Sequence, residues 1–429
     1  MTRRFLTVDQ QRNNHVRKEI VSNTTAQAGR HLLLLLLLVT ANQSDAQVIW
    51  DRSQIDRVRN EELEAGSPRA VAVERLRKFA DNALTKEPYS VMHKDIVPPS
   101  GDKHDYLSFS RYWWPDPDKP DGLPYIRKDG VVNRKLIANG DRVRLGEFRD
   151  DSIALALAGY VLKDPRYTKH AAKMIRTWFL DEETRMNPNL NFGQGVPGRA
   201  HGRGPGIIDT RGFMLVLDGV ELFDAEHWTA DDQTKLQKWF DEYQQWLAAS
   251  PLGQHEQKAK NNHGSWYAAQ RARYALFAGR RDLAKTIVQQ TKTRIEKQFA
   301  GNGDQAEELK RTRSLHYSMF NITALSRVAR VGDQVGENLW DYTPEHGCSL
   351  KKAIHGLLPF IVGESEWQHQ QIAKFSLSSS SHLTLSLFAR QFKDVRYLDA
   401  VEKAGRIKNA ERDFTCLVVN EQKEPIANR

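Results

Sequence analysis

The sequence predicts an all-α protein, and three observations carry that reading. Apolar residues recur at helical spacing in one segment after another from Ile55 onwards, alternating runs of the strand type are scarce, and the helical segments have similar lengths with loops between them. In chain order the periodic segments are 71–84, 152–162, 166–179, 212–223, a stretch after Thr229, 265–278, 282–299, 314–331, 350–361 and 383–392. The stretch "TADDQTKLQKWFDEYQQWLAAS" is the clearest. Thr229 takes the N-cap with Asp232 three residues on, and Leu236, Trp239, Phe240, Tyr243 and Leu247 fall on one apolar face. Helices of this kind pack as stacked hairpins or close into a ring of helix pairs, and no fixed-period repeat chooses between the two.

Two loops interrupt the pattern. "SRYWWPDPDKPDGLPYIRKDG" (110–130) carries four prolines and several aromatics, and "NPNLNFGQGVPGRAHGRGPGIIDTRG" (187–212) is rich in glycine, asparagine and arginine. Long polar and aromatic loops over a helical scaffold are where binding sites concentrate.

At the N-terminus Arg30 precedes an unbroken leucine run at 32–38, followed by Ser44-Asp45-Ala46. That is the pattern of a signal peptide, with cleavage expected after Ala46 and export to the periplasm or beyond. The apolar stretch is about half of the roughly 20 residues a membrane span needs. A single folded domain is then expected over 47–429. Residues 1–46 hold six lysines and arginines against three acids, so their removal lowers the formal charge from +9 to +6. A modest positive excess suits an acidic ligand, and no basic block with interleaved aromatics points to nucleic acid. Cys348 and Cys416 are able to pair in an oxidising compartment, but they form neither a disulfide scaffold nor a zinc motif.

Chemistry concentrates in two stretches. In "KNNHGSWYAAQRARYALFAGR" (260–280) a helix starting near Gly264 places Asn262 and His263 at its N-terminus, where free N–H groups and the positive dipole end favour an anion and a neutral imidazole. The alternative is that Asn262 is a cap and His263 a satisfied buried histidine. In "KRTRSLHYSMFNITALSRVAR" (310–330) Leu315, Met319, Ile322, Leu325 and Ala329 form the buried face, while Arg313, Tyr317 and Asn321 lie four apart along another. An arginine one turn before a tyrosine is expected to bring the phenol pKa down from about 10. The alternative is a core tyrosine beside a solvated arginine.

Taken together, "NNHGSWY", then "RTRSLHYSMFN" some fifty residues later, with "SRYWWPDPDKPDGLPY" and "GRGPGIIDTRG" upstream, resemble the alginate lyase family of polysaccharide lyases over about 104–332. The resemblance implies an α/α toroid or incomplete α/α barrel. It also implies cleavage of 1,4-linked uronic-acid chains, alginate or a related polyuronate such as glucuronan, by β-elimination, leaving a C4–C5 unsaturated end. It places the catalytic pair on Asn262 and His263 and the catalytic tyrosine on Tyr317. The family's arginine falls on Arg311 or Arg313, and the one-turn spacing favours Arg313. Gln194, with Arg203 or His201 nearby, matches the family's substrate-binding loop.

Eliminating across C4–C5 needs the carboxylate neutralised, a base for the C5 proton and an acid for the departing O4. Asn262, with Arg313 or Gln194, suits the first task. Tyr317 serves as base and then acid if proton and leaving group lie on one face of the ring; if they lie on opposite faces, His263 is the base and Tyr317 the acid. Tyr112, Trp113 and Trp114 are candidates to stack on sugar rings, or else plug a gap between helices. No cofactor is expected. His201, His263 and His316 lack the spacing of metal ligands, and "GRGPG" lacks the ending of a phosphate loop. The expected partner is an acidic polysaccharide. Two other readings compete: a glycoside hydrolase, for which Asp209 and Glu308 are the best carboxylates although nothing beside them signals a raised pKa, and a non-catalytic glycan-binding envelope protein.

Overall fold

The computed structural model describes residues 48–405 and 407–421; the predicted export segment lies outside the described residues. Among them are thirteen α-helices of seven or more residues. These are α1 Arg52–Asn60, α2 Pro68–Leu84, α3 Arg142–Leu162, α4 Pro165–Phe179, α5 Phe213–Val220, α6 Ala230–Ala249, α7 Pro251–Gln257, α8 Asn262–Phe277, α9 Arg281–Gln298, α10 Ser314–Val335, α11 Leu350–Ile361, α12 Ser379–Phe392 and α13 Arg396–Ala404. They build an α/α toroid in which neighbours in sequence pair, α3 with α4, α8 with α9 and α12 with α13, and α8 packs on α10. The pairing follows from the connections. Only Lys163, left-handed at φ 54°, and Asp164, whose side chain caps α4, separate α3 from α4, and so short a link forces antiparallel neighbours. No helix of the described residues is long and apolar enough to cross a membrane.

Apolar stripes set the helix faces. Trp178 of α4 stacks on Phe148 of α3 at 4.5 Å and 14°, while Phe179 meets Phe213 and Trp239 edge to face at 5.0 and 4.7 Å. The capping box predicted at Thr229 and Asp232 is present and starts α6. Asp218 of α5, itself buried, accepts the backbone N–H groups of Ile49 and Trp50, both at 2.8 Å, and pairs with the buried Arg273 at 3.0 Å. The first described residues are thereby fastened to the core.

Differences from the predicted elements have physical reasons. Helix α3 starts ten residues before the predicted 152, because "RVRLGEFRDD" hides its apolar period among charges that face inward, Arg142 to Asp209 and Arg149 to Asp150. The serine-rich start of α12 hides it likewise. Helices α1, α7 and α13, each nine residues or fewer, fall outside the predicted segments. Cys348 and Cys416 are free thiols.

Four short strands tie down the two long loops. Strand β1, Leu107–Phe109, runs parallel to β4, Phe192–Gly195, which joins the bases of the two loops. Strand β2, Trp113–Trp114, is antiparallel to β3, Ile126–Arg127, so the first loop folds back on itself.

Candidate active site

Helix α8 begins at Asn262, earlier than predicted, because the cap is Asn261, whose side chain accepts the His263 N–H at 3.1 Å. Asn262 and His263 are therefore the first two helical residues. The Asn262 backbone N–H and Nδ2 donate to the two carboxyl oxygens of Glu308, at 2.5 and 2.7 Å, and its Oδ1 is buried without a partner. Asn262 has no accessible surface. His263 keeps some, and its Nδ1 stands 2.5 Å from Oε1 of the buried Glu256 in α7. A carboxylate only accepts, so Nδ1 carries the hydrogen and Nε2 is the nitrogen left for chemistry.

Tyr317 stands in the first turn of α10 with its hydroxyl 2.9 Å from that of Tyr112 on the first loop. The Arg311 guanidinium lies over its ring, 3.6 Å from the centroid. Arg311 in turn donates Nη2 and Nε to Asp129 at 2.8 and 3.2 Å, and Thr312 adds its hydroxyl to the same carboxylate. The contact arginine is thus Arg311, not Arg313 as the one-turn spacing suggested. Arg313 is the N-cap residue of α10, with φ −127° and ψ 55°, so the helical i to i+4 rule does not apply to its side chain; its Nε is buried without a partner.

The electrostatics also depart from the expected direction. Burial pushes the Tyr317 hydroxyl above the usual phenol range, the Tyr112 hydroxyl adds to this, and Arg311 opposes with less effect. The expected lowering is overturned because desolvation outweighs one cation. Burial also pushes the Glu308 carboxyl up to about 7 against the two Asn262 donors, Arg311 and His263. Nothing in the local sequence signals that shift, since it comes from enclosure. Glu308, three residues before Arg311, is bonded to Asn262, and α8 packs on α10, so the start of α8 and the segment leading into α10 meet at one site.

The second loop supplies Gln194, left-handed at φ 50°, which is uncommon outside glycine. Ser108 Oγ accepts its backbone N–H at 2.8 Å, and its Nε2 donates to Asp209 at 2.8 Å. Asp209 also accepts from Ser108 Oγ, Tyr106 and Arg142. Arg203 is part of the loop's frame, bonding the Gln194 carbonyl and Ser110 at 3.0 and 2.8 Å, and His201 is exposed. The adjacent tryptophans alternate across their strand. Trp113 faces Arg199 and Arg203, with 5.2 and 5.6 Å to the ring, whereas Trp114 donates Nε1 to the Val131 carbonyl. Among the described residues no cluster of three or more His, Cys, Asp or Glu side chains has the arrangement to hold a metal.

A model of the alginate lyase family matches residues 90–367. The chain belongs to the alginate lyase family. A crystal structure of an alginate lyase from Bacteroides ovatus is 35% identical, covers 87% of this chain and 98% of its own, and superposes with a TM-score of 0.79. Alginate lyase A1-III from Sphingomonas species A1, 13% identical, superposes at 0.55 over 88% of this chain and 97% of its own, which bears on the fold alone. A histidine-to-alanine variant of alginate lyase A1-III complexed with a tetrasaccharide, also 13% identical, gives 0.58 over 89% and 97%. No curated protein matches. Membership of the alginate lyase family makes the chain a polysaccharide lyase.

The geometry adds residues that sequence spacing could not supply. Glu256 behind His263 comes from the preceding helix, seven residues upstream, and Asp129 behind Arg311 from a segment 182 residues away. Tyr112 was legible as an aromatic at the site, but its hydroxyl contact with Tyr317 was not.

Proposed function

We propose that this lyase cleaves 1,4-linked uronic-acid chains, alginate first among them, by β-elimination, with Tyr317 as the acid and His263 as the base. The observation that carries this is the Tyr317 hydroxyl, which burial makes harder still to ionise than a free phenol, with an arginine on its ring and a histidine backed by a buried carboxylate at the neighbouring helix start. A neutral phenol is a proton donor. It suits the departing O4, while His263 Nε2 suits the proton on C5 and Glu256 steadies the imidazolium that results. The Arg311 guanidinium supplies the positive charge beside which a substrate carboxylate gains enolate character, while Asn262 and Gln194 hold the frame around it through Glu308 and Asp209. The leucine run at 32–38 supports export, where such polymers are met.

The hydrolase reading loses its carboxylates. Asp209 is taken up by four partners and Glu308, although raised to about 7, is enclosed and engaged by Asn262. The test is incubation with a panel of polyuronates, alginate and glucuronan included, while ultraviolet absorbance is followed. Products of elimination carry a conjugated C4–C5 double bond; saturated products from every polymer in the panel would remove the proposal. The roles are separated by a uronide with a strongly acidic aryl leaving group. It should restore turnover to Tyr317→Phe but not to His263→Ala, and failure to rescue Tyr317→Phe would return the tyrosine to the base role.

A further inference from the structure

Beyond the catalytic end the toroid encloses a chamber of about 390 Å³, large enough for a small ligand. Its near wall is Trp266 of α8 and Phe320 of α10, rings 4.9 Å apart, with the Arg211 guanidinium over both at 5.9 and 5.5 Å. Deeper in, Thr323 and Arg327 continue the inward stripe of α10 that starts with Tyr317 and Phe320. Ten residues along one helix put Arg327 about 15 Å from Tyr317. That is farther than a single sugar ring reaches.

The charges in this chamber do not balance. Asp150 is taken by Arg149 and Arg412, at 2.5 Å each, and Asp413 by His382 at 2.7 Å. Arg211 and Arg327 have no carboxylate at ion-pair distance among the described residues, and Asp209 and Asp218 act on them only from farther off. Arg327 is 3% exposed, and its Nη1 is buried with no partner. Arg211 gives Nη1 to the Ile208 carbonyl at 3.1 Å, and the surface it retains faces the chamber. Burial pushes both guanidinium groups down to about 9, and for Arg211 the neighbouring Arg149, Arg142 and Arg111 add to the effect. An enclosed cation whose counter-charge stands beyond contact is costly, and an anion in the chamber would reduce that cost. A smaller recess lined by Arg111, Arg142 and Asp209 shares Arg149 and Arg211 with the chamber. Arg111 precedes Tyr112, whose hydroxyl touches Tyr317, so a basic path leads from the reacting bond inward.

We propose that the chamber is a binding site for a uronate residue several units from the bond cleaved, its carboxylate held by Arg211 and Arg327 and its ring set against Trp266 and Phe320. The proposal rests on the lyase reading and names the length of chain the enzyme grips. It makes the chamber a determinant of substrate length rather than of the chemical step.

The test uses Tyr317→Phe to hold substrate uncleaved, with calorimetric binding of a saturated hexauronate from alginate. Adding Arg327→Met should weaken the dissociation constant tenfold or more. It should leave the melting temperature of the ligand-free protein unchanged or higher, because an uncompensated buried cation has been removed, and it should shrink the rise in melting temperature that the hexauronate produces. With Tyr317 intact, kcat/KM should fall more on the hexauronate than on a trisaccharide. Arg211→Gln repeats the measurement should Arg327→Met fail to fold. Unchanged affinity and an unchanged ligand-induced shift in a folded variant overturn the chamber while leaving the lyase in place. Failure of Tyr317→Phe to bind any hexauronate, together with no unsaturated product from the unaltered enzyme, overturns both.

Discussion

The two ends of the toroid's interior solve opposite problems with the same residue types. At the starts of α8 and α10 the groups proposed for chemistry and the carboxyl between them have partners: Arg311 has Asp129, His263 has Glu256, and Glu308 has Asn262. Around Arg211 and Arg327 the cations outnumber the carboxylates that reach them. Paired charges are held in fixed geometry before substrate arrives, which is what proton transfer and stabilisation of a developing charge require. Unpaired ones are held in waiting, which favours binding. The comparison teaches that position in the network, not residue type, separates a group that does chemistry from one that recognises.

The comparison breaks most sharply at Tyr317. Replacing it by phenylalanine removes a hydrogen bond worth roughly 0.5–1.5 kcal/mol of stability, yet should lower kcat by about 10²–10⁴-fold. A melting curve and an ultraviolet turnover assay read the two effects, and near-normal turnover would move Tyr317 out of the mechanism. Next in size, Arg311→Ala should cost on the order of 10²-fold in kcat, as removal of a preorganised charge-stabilising donor does. Arg313→Ala, outside the Tyr317 contact, should cost far less; equal losses in parallel kinetics would undo the assignment of Arg311.

A third test addresses the enclosed Glu308. Its folded pKa of about 7 lies above the ordinary 4.5, so its contribution to stability is present below pH 4.5 and lost as pH rises through 7. The loss is on the order of 3 kcal/mol across that window. Glu308→Gln should abolish this component in melting temperatures taken from pH 4 to 8, and a variant with the same slope as the parent would show that another group carries it. The smallest effect is expected from salt. Arg127, Lys128, Arg199 and Arg203 lie on the outer loops, and screening should weaken polyuronate binding without changing kcat. Affinity that is flat from low to high ionic strength would remove them from recognition.

Much of the scaffold was legible in the sequence because helical burial writes a period into it. The stripe from Leu236 to Leu247 and the Thr229 capping box needed nothing distant. The site residues were legible where they sit at helix starts, as Asn262, His263 and Tyr317 do. The partners were not. Asp129 and Glu256 are ordinary acids in their own segments and acquire meaning only when the chain brings Arg311 and His263 to them. Arg313 misled for a related reason: residue spacing describes a helix, and this residue stands just before one. The raised Tyr317 hydroxyl shows the same limit, since a neighbouring arginine is visible in sequence but the enclosure that outweighs it is not.

The tie between Asp218 and the backbone of Ile49 and Trp50 fixes a practical boundary for anyone producing this protein. A recombinant version beginning at Asp51 would strip a sequestered carboxylate, already paired with Arg273, of two main-chain donors. An affinity handle or protease site inserted between Val48 and Asp51 would do the same damage. Trimming and tagging are therefore best kept out of the stretch from Val48 to Asp51.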